Sequence, residues 1–158
     1  MDDEELKKYI KKITDGKGYH PLKYYRGLSK REVKQRIAHK KGSTWKTDKG
    51  KKTKTSSYTT AFRKVYPDAK SLSSKAKVTG IPLTVIKSVY NRGLGAWTSG
   101  HRPGASQSAW GYARVHSFIM KGCTYYSTDS DLVKKAKTKM TPPKKSKWMS
   151  RKKICYKG

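Results

Sequence analysis

Positive charge limits what this chain can fold into. It carries 39 Lys and Arg residues against ten Asp and Glu residues, which gives a formal net charge of +29 over 158 residues. Ten carboxylates cannot neutralise that many cations, so most of the charge must face solvent or a polyanion. Leu, Ile, Val and Phe number only 23, a share typical of highly charged disordered chains. The 11 Tyr and 4 Trp residues offset this shortage because each aromatic side chain buries a large apolar surface. We therefore expect one small domain with basic ends.

Several classes of protein are excluded by the same sequence. No run approaches the roughly 20 apolar residues that a membrane-spanning helix needs. The acidic start, Met1 to Glu5, is unlike a signal peptide, which begins with positive charge. Cys123 and Cys155 are too few for a zinc site or a disulfide framework, and we expect them to be free thiols in a reducing compartment. We accordingly expect no transmembrane segment, no metal and no cofactor.

Apolar periodicity and capping residues predict a mainly α fold with little or no sheet. Ser29 and Glu32 form a capping box at the start of a basic amphipathic helix. Residues 124–128 are polar and strand-prone, which is the main exception to the helical pattern. The predicted helices outside the hairpin described below cover residues 2–13, 29–39, 57–66, 106–120 and 130–140.

The charge distribution and the Gly and Pro residues that end helices predict three segments along the chain. These are an acidic N-terminal helix and linker (1–21), a helical core domain (22–140) and a basic C-terminal tail (141–158). Residues 133–158 contain 11 Lys and Arg and no acidic residue. We expect such a tail to be extended when free and to become ordered on a polyanion. Its possible docking anchors are Trp148, Ile154 and Tyr156.

Residues 72–92 have the pattern of a helix-turn-helix. Ala76 is small enough to let two helices cross closely, Gly80 supplies the turn, and Pro82 suits the first turn of the second helix. An ordinary helical hairpin needs the same residue types, so a purely structural role stays open. In a DNA groove, Thr and Asn side chains would contact base edges while basic side chains hold phosphates. The candidate residues are Thr84, Lys87, Asn91 and Arg92.

Glycines at positions 93, 95, 100 and 104 predict a glycine-rich loop that leads into the helix at 106–120. Such a loop before a helix N-terminus is typical of an anion site. The alternative is that His101 and Arg102 bond backbone carbonyls and fix the loop without a ligand. No phosphate-loop or dinucleotide fingerprint is present, so we propose no nucleotide cofactor. The candidate anion-binding residues are His101, Arg102, Gln107 and Arg114.

Short motifs in the core resemble a known family. They are Tyr24-Tyr-Arg-Gly-Leu-Ser29, Thr53-Lys-Thr-Ser-Ser-Tyr58, Thr79-Gly-Ile-Pro82 and, above all, Gly100-His-Arg-Pro-Gly-Ala-Ser-Gln107 followed by Ala109-Trp-Gly-Tyr-Ala-Arg-Val115. Over about residues 22–138 the chain resembles small basic proteins encoded by large nucleocytoplasmic DNA viruses and by some marine phages. That family has no assigned activity, so the resemblance implies a viral origin and little about chemistry.

Catalysis is not expected, because carboxylates are scarce. A metal-dependent nuclease needs several acids that converge on its ions. His116 lies on an otherwise apolar arc and is expected to be a core histidine. Beyond the first fifteen residues the carboxylates are Glu32, Asp48, Asp68, Asp129 and Asp131.

Two functions fit these observations. In the first, the chain is a virion-associated basic structural protein, either a minor capsid or an internal virion protein. Its partners would be other capsid or virion proteins and the phosphate backbone of genomic DNA, in the virion and, during assembly, in the host cytoplasm or nucleus. In the second, it is a helix-turn-helix DNA-binding protein that acts in viral DNA regulation or processing. Neither function involves a small-molecule substrate. The basic ends favour the first function, which we expect, and the turn at 79–82 favours the second.

Overall fold

The chain folds into helices throughout. The computed structural model describes residues 1–40 and 43–155, and these residues form nine α-helices and no β-strand. Short 3-10 turns lie at Leu22–Tyr24 and Lys46–Asp48. The predicted mainly α fold without a sheet is therefore confirmed. The helices are α1 (Asp3–Thr14), α2 (Lys30–Ile37), α3 (Ser57–Val65), α4 (Leu72–Thr79), α5 (Leu83–Ser99), α6 (Gln107–Ile119), α7 (Cys123–Tyr126), α8 (Ser130–Lys139) and α9 (Pro142–Met149).

The helices belong to two compact units with other boundaries than the three segments expected from charge. Among the described residues, the first unit draws on 1–54 and 96–106, and the second unit contains the rest. Helix α5 belongs to the second unit as far as Gly95 and to the first unit from Ala96 onward.

The first unit has a small core of its own. Leu6 and Ile10 of α1 pack with Val33 of α2 and with Tyr25 and Leu28 from the segment between the two helices. Both helices begin as the sequence predicts. The Asp2 carboxylate accepts a hydrogen bond from the Glu5 amide at 2.8 Å, and the capping box at the start of α2 is formed. The acidic N-terminal helix is thus packed into this unit.

The second unit holds the larger core, in which two glycines allow a close helix contact. A Cβ on Gly93 of α5 would lie 2.7 Å from the Gly111 Cα of α6, so any side chain there would push these helices apart. Gly93 and Gly95 both lie within α5, so the predicted glycine-rich loop begins only at Gly100. Gly93 thus serves close helix packing and not a turn. The buried residues of this core include Phe62, Ile86, Val89, Val115, Phe118 and Ala136.

The C-terminal segment differs from the extended tail that its charge predicts. Pro142 and Pro143 occupy the first turn of α9, where a missing N–H does no harm. Trp148 of this helix is only 3% exposed, and its indole Nε1 donates to the Ile119 carbonyl at 2.9 Å. One large aromatic side chain thus docks a helix whose other residues are mostly solvated. Ile154 is half-buried and its amide bonds the Lys121 carbonyl, whereas Tyr156 lies outside the described residues.

Two further local predictions are wrong. Cys123 and Cys155 form a disulfide, so they are not the free thiols expected from their number. The strand-prone stretch 124–128 instead contributes to the short helix α7, because burial of Tyr125 in the core outweighs its β propensity.

Candidate nucleic-acid interface

The predicted hairpin at 72–92 is formed by α4, a tight turn and α5. Gly80 adopts a left-handed conformation with φ of 75°, and its amide donates to the Ala76 carbonyl at 2.9 Å. The Thr79 hydroxyl donates to the Lys75 carbonyl and accepts from the Ile81 amide at 3.2 Å. Pro82 then leads directly into α5. These local hydrogen bonds form the turn between the two helices.

Helix α5 has one buried and one exposed face over its first two turns. Val85, Ile86 and Val89 are each at most 1% exposed in the core of the second unit. Thr84, Lys87 and Asn91 are exposed, at the spacing that places residues on a common face of a helix. Three of the four hairpin residues proposed from the sequence are thus together and accessible.

The fourth residue, Arg92, is engaged within the protein. Its Nη2 donates to Asp131 Oδ2 at 2.7 Å, and its Nη1 donates to Asp131 Oδ1 at 2.9 Å and to Asp129 Oδ1 at 3.1 Å. The hydrogen bond from Arg92 lowers the pKa of Asp131 to about 2. Two carboxylates neutralise this guanidinium, so we do not retain Arg92 as a phosphate contact.

Arg114 and Gln107 of α6 are also engaged in internal contacts. The Arg114 guanidinium donates to both oxygens of Asp129, with Nε at 3.0 Å from Oδ2 and Nη2 at 2.8 Å from Oδ1. The Gln107 amide donates to the Leu94 carbonyl at 3.1 Å. Asp129 is fully buried and is the shared partner of Arg92 and Arg114. It also lies at the N-cap of α8. The sequence contains few carboxylates, so each buried one is expected to pair with a basic residue, and this was the available signal for the pairs of Arg92 and Arg114 with Asp129.

The Gly-His-Arg-Pro-Gly loop is held by a network that sequence reasoning missed. We call Arg36, Thr47, Asp48 and His101 the loop cluster. His101 is fully buried, and its Nε2 lies 2.6 Å from Asp48 Oδ2 while its Nδ1 lies 2.8 Å from the Trp97 carbonyl oxygen. Asp48 Oδ1 also accepts from the Gly104 amide at 3.1 Å. The Asp48 carboxylate therefore already accepts from the Gly104 amide that an anion would need. The contacts of His101 fit the alternative stated from the sequence, in which this residue fixes the shape of the loop without a ligand.

Arg36 completes the loop cluster from α2. Its Nη1 donates to Thr47 Oγ1 at 2.6 Å and to Asp48 Oδ1 at 3.0 Å, and its Nη2 donates to the His101 carbonyl. Burial would raise the pKa of Asp48, but the hydrogen bonds from His101, Gly104 and Arg36 together hold it below its ordinary value. Burial lowers the pKa of His101, and the acceptor oxygens at both ring nitrogens limit that decrease.

Arg102 is placed differently from its neighbour His101. It is partly exposed, and within the described residues no carboxylate lies within ion-pair distance of its guanidinium. Burial and the nearby charge of Arg102 both lower the pKa of Lys23. Two cations therefore lie close together in the first unit without an acidic partner in this part of the chain.

His116 is a core histidine, as expected. Its ring stacks on Phe62 with centroids 4.5 Å apart, and its Nδ1 lies 2.8 Å from Thr59 Oγ1. Burial, with the charges of Lys75 and Arg63, lowers its pKa to about 3. The ring is therefore neutral at physiological pH.

Two kinds of site do not occur within the ranges 1–40 and 43–155. No three His, Cys, Asp or Glu side chains come together there in a way that could hold a metal ion. No helix in these ranges combines the length and apolar character needed to cross a membrane.

Comparison with known proteins identifies a family for this chain. A family model described as a family of unknown function, DUF5824, matches residues 21–140, which is more than half of the chain. No curated protein and no solved structure matches the chain. The matched range includes the α4–α5 hairpin and the Gly-His-Arg-Pro-Gly loop. The chain therefore belongs to the DUF5824 family, whose function is unknown.

Proposed function

We propose that the protein binds DNA, with the exposed face of α5 against the duplex. The observation that carries this proposal is the position of Thr84, Lys87 and Asn91 on one accessible face directly after the Gly80 turn. In helix-turn-helix proteins the second helix enters the major groove with its N-terminal residues at the base edges. Thr84 and Asn91 have side chains that can bond bases, and Lys87 can bind a phosphate.

The charge distribution supports a polyanionic partner. Among the described residues, only five Lys and Arg side chains pair with a carboxylate. Most of the remaining cations are exposed, including Lys134, Lys135 and Lys139 on α8 of the same unit. Such cations release counterions when they meet phosphates, which makes binding strongly dependent on salt. The five paired residues are Arg26, Arg36, Lys51, Arg92 and Arg114.

The salt dependence of duplex binding tests this proposal. Fluorescence anisotropy with a labelled duplex of about 20 base pairs gives the slope of log K against log salt concentration. Lys87→Ala should weaken binding to every sequence and reduce the magnitude of the slope by about one. Lys8→Ala removes the same charge from an exposed position of α1 in the other unit and serves as the matched control. An identical slope for Lys87→Ala and the wild type would refute the role of α5.

A second candidate function is favoured by the disulfide. Cys123 and Cys155 are covalently joined, and disulfides persist mainly in oxidising surroundings such as those outside a cell. We also propose, on this ground and on the resemblance to viral proteins, that the chain is a structural component of a virus particle. Its basic surface would then meet packaged DNA or acidic capsid partners.

Mass spectrometry of purified particles tests this second proposal. Particles are extracted first with detergent and then with high salt. Retention in many copies with the shell, after the DNA is removed, supports a minor capsid role. Release together with the genome in high salt supports a packaging role. Absence of the chain from the particles would refute the virion proposal.

A further inference from the structure

The first unit contains an open groove of about 490 Å³ that the DNA-binding proposal does not use. Its walls include Tyr19, Tyr24, Tyr25, His39 and Trp45. We propose that this groove binds one unpaired nucleotide of a nucleic-acid strand, with the base stacked on its aromatic rings and the phosphate held by Lys23 and Arg102. This inference goes beyond the proposed function, which concerns duplex DNA and α5 of the second unit.

The size and lining of the groove suit a nucleotide. Sites for small ligands usually enclose about 300–1,000 Å³ and combine aromatic walls with a few polar groups. Proteins that bind single strands place aromatic rings where bases can stack, and stacking tolerates any base because each has a π face. The groove supplies such rings from two separate parts of the chain, Tyr19, Tyr24 and Tyr25 in one and His39 and Trp45 in the other.

One part of the groove lining, His39 and Trp45, packs against the loop cluster. The rings of His39 and Trp45 stack with centroids 3.4 Å apart and planes inclined by 13°. The guanidinium carbon of Arg36 lies 4.7 Å from the Trp45 ring centroid, and the His101 ring meets Trp45 edge-on at 4.8 Å. The loop cluster therefore holds this part of the lining in place before any ligand arrives. Such preorganisation reduces the entropy that binding must overcome.

Another part of the groove lining is built from tyrosines. Tyr19 is 82% exposed, so a large aromatic ring stands in water at the edge of the groove. Tyr24 packs against Gly100, where a Cβ would lie 3.0 Å from the tyrosine Cε2 atom. The glycine thus permits the ring of Tyr24 to approach the backbone of the loop. An aromatic ring left in water at such an edge gains apolar contact when a base stacks on it.

Lys23 and Arg102 do not line the groove but lie next to its wall residue Tyr24, and they favour a ligand with negative charge. Lys23 lies with its Nζ 5.5 Å from the Tyr24 ring centroid, and Arg102 is close enough to lower the pKa of Lys23. A phosphate between these like charges would relieve their repulsion. His39 Nε2 is also buried without a hydrogen-bond partner among the described residues, and a base edge offers one.

The test measures binding of the full-length protein to a labelled oligothymidylate of about ten nucleotides, because the groove should not require a particular base. Tyr19→Ala should weaken this binding about tenfold, which is the typical effect of removing one stacking ring. Arg102→Gln should weaken it and reduce the magnitude of the salt slope by about 0.7, the value for one phosphate contact on a single strand. The matched control is Tyr126→Ala, which removes an exposed tyrosine from the second unit and should change nothing.

The same variants separate this inference from the duplex proposal. Tyr19→Ala should leave duplex binding unchanged, whereas Lys87→Ala should weaken duplex binding and leave the Tyr19-dependent part of single-strand binding intact. Single-strand affinity that is insensitive to both Tyr19→Ala and Arg102→Gln would overturn the inference, as would an equal loss with Tyr126→Ala. Adenosine monophosphate distinguishes a strand from a free nucleotide. Competition as effective as that of an unlabelled strand would overturn the assignment to a strand.

Discussion

Replacing Asp48 by Asn removes the negative charge from the middle of the loop cluster while nearly preserving the shape of the side chain. In the wild type, the carboxylate accepts hydrogen bonds from Arg36 at 3.0 Å, His101 at 2.6 Å and the Gly104 amide at 3.1 Å. The amide of Asn can accept at one atom only. Asp48→Asn therefore replaces the carboxylate at only one of its two oxygens and leaves the Arg36 guanidinium without a charged partner.

The cost follows from the burial of the partners. The Arg36 side chain is 2% exposed and the Asp48 side chain is 21% exposed. Removing one partner of a buried ion pair typically costs about 3–5 kcal/mol because the other charge is left buried and unpaired. Thr47 Oγ1 and the His101 carbonyl still accept from Arg36, and some water reaches Asp48, so we expect a smaller loss of about 2–3 kcal/mol.

Urea unfolding followed by circular dichroism measures this loss. Glu32→Gln is the matched control, because Glu32 pairs with Lys51 at 3.3 Å where both side chains are about 30% exposed. Glutamine keeps the capping box, so this control should cost less than about 1 kcal/mol. If Asp48→Asn costs no more than Glu32→Gln, the loop cluster does not hold the loop and the reasoning fails.

Three further predictions concern the second unit. Reduction of the disulfide, or Cys155→Ser, should lower the free energy of unfolding by about 3–4 kcal/mol, because Cys123 and Cys155 are 32 residues apart; a thermal midpoint unchanged by reductant would contradict this. His116 binds a proton near pH 6.5 when unfolded but only near pH 3 when folded, so acid favours unfolding. This group should lower the free energy of unfolding by about 2–3 kcal/mol between pH 6.5 and pH 4.5. His116→Asn should make the free energy of unfolding less dependent on pH over that interval. An unchanged pH dependence would argue against a neutral buried ring. Asp129→Asn should cost more than Asp131→Asn in thermal unfolding, because Asp129 is fully buried and serves two arginines; equal effects would refute this order.

Features with a local chemical signal were predictable from the sequence. The capping box at Ser29 and Glu32 lies within four residues, and the turn at Gly80 needs only Thr79, Gly80 and Pro82 in succession. Helical periodicity likewise placed the apolar and polar faces of α5. These elements follow from interactions between near neighbours in the chain, which a sequence displays directly.

The loop cluster was not predictable in the same way. Asp48 and His101 are 53 residues apart, and Arg36 and the His101 carbonyl are 65 residues apart. No periodicity links such positions, and each residue type also occurs on surfaces. The sequence narrowed His101 to two roles, an anion ligand or a residue that fixes the loop, and tertiary contacts were needed to choose between them.

Predictions made from the average composition of a segment were wrong where the packing of a single residue determines its structure. The segment 142–149 is basic and reads as a disordered tail, yet burial of Trp148 docks it as α9. Gly93 reads as a loop residue but lies in a helix, because close contact with Gly111 outweighs its low helix propensity. In both cases long-range packing overrides the local tendency of the chain.

Lysine acetylation footprinting tests DNA binding through α5 most directly. The full-length protein is treated briefly with an acetylating reagent, with and without a DNA duplex, and mass spectrometry gives the modification of each lysine. Our account predicts that the duplex protects Lys87, which is exposed on α5, and leaves Lys8 of α1 reactive. Equal modification of Lys87 with and without DNA, under conditions where the duplex is bound, would contradict it.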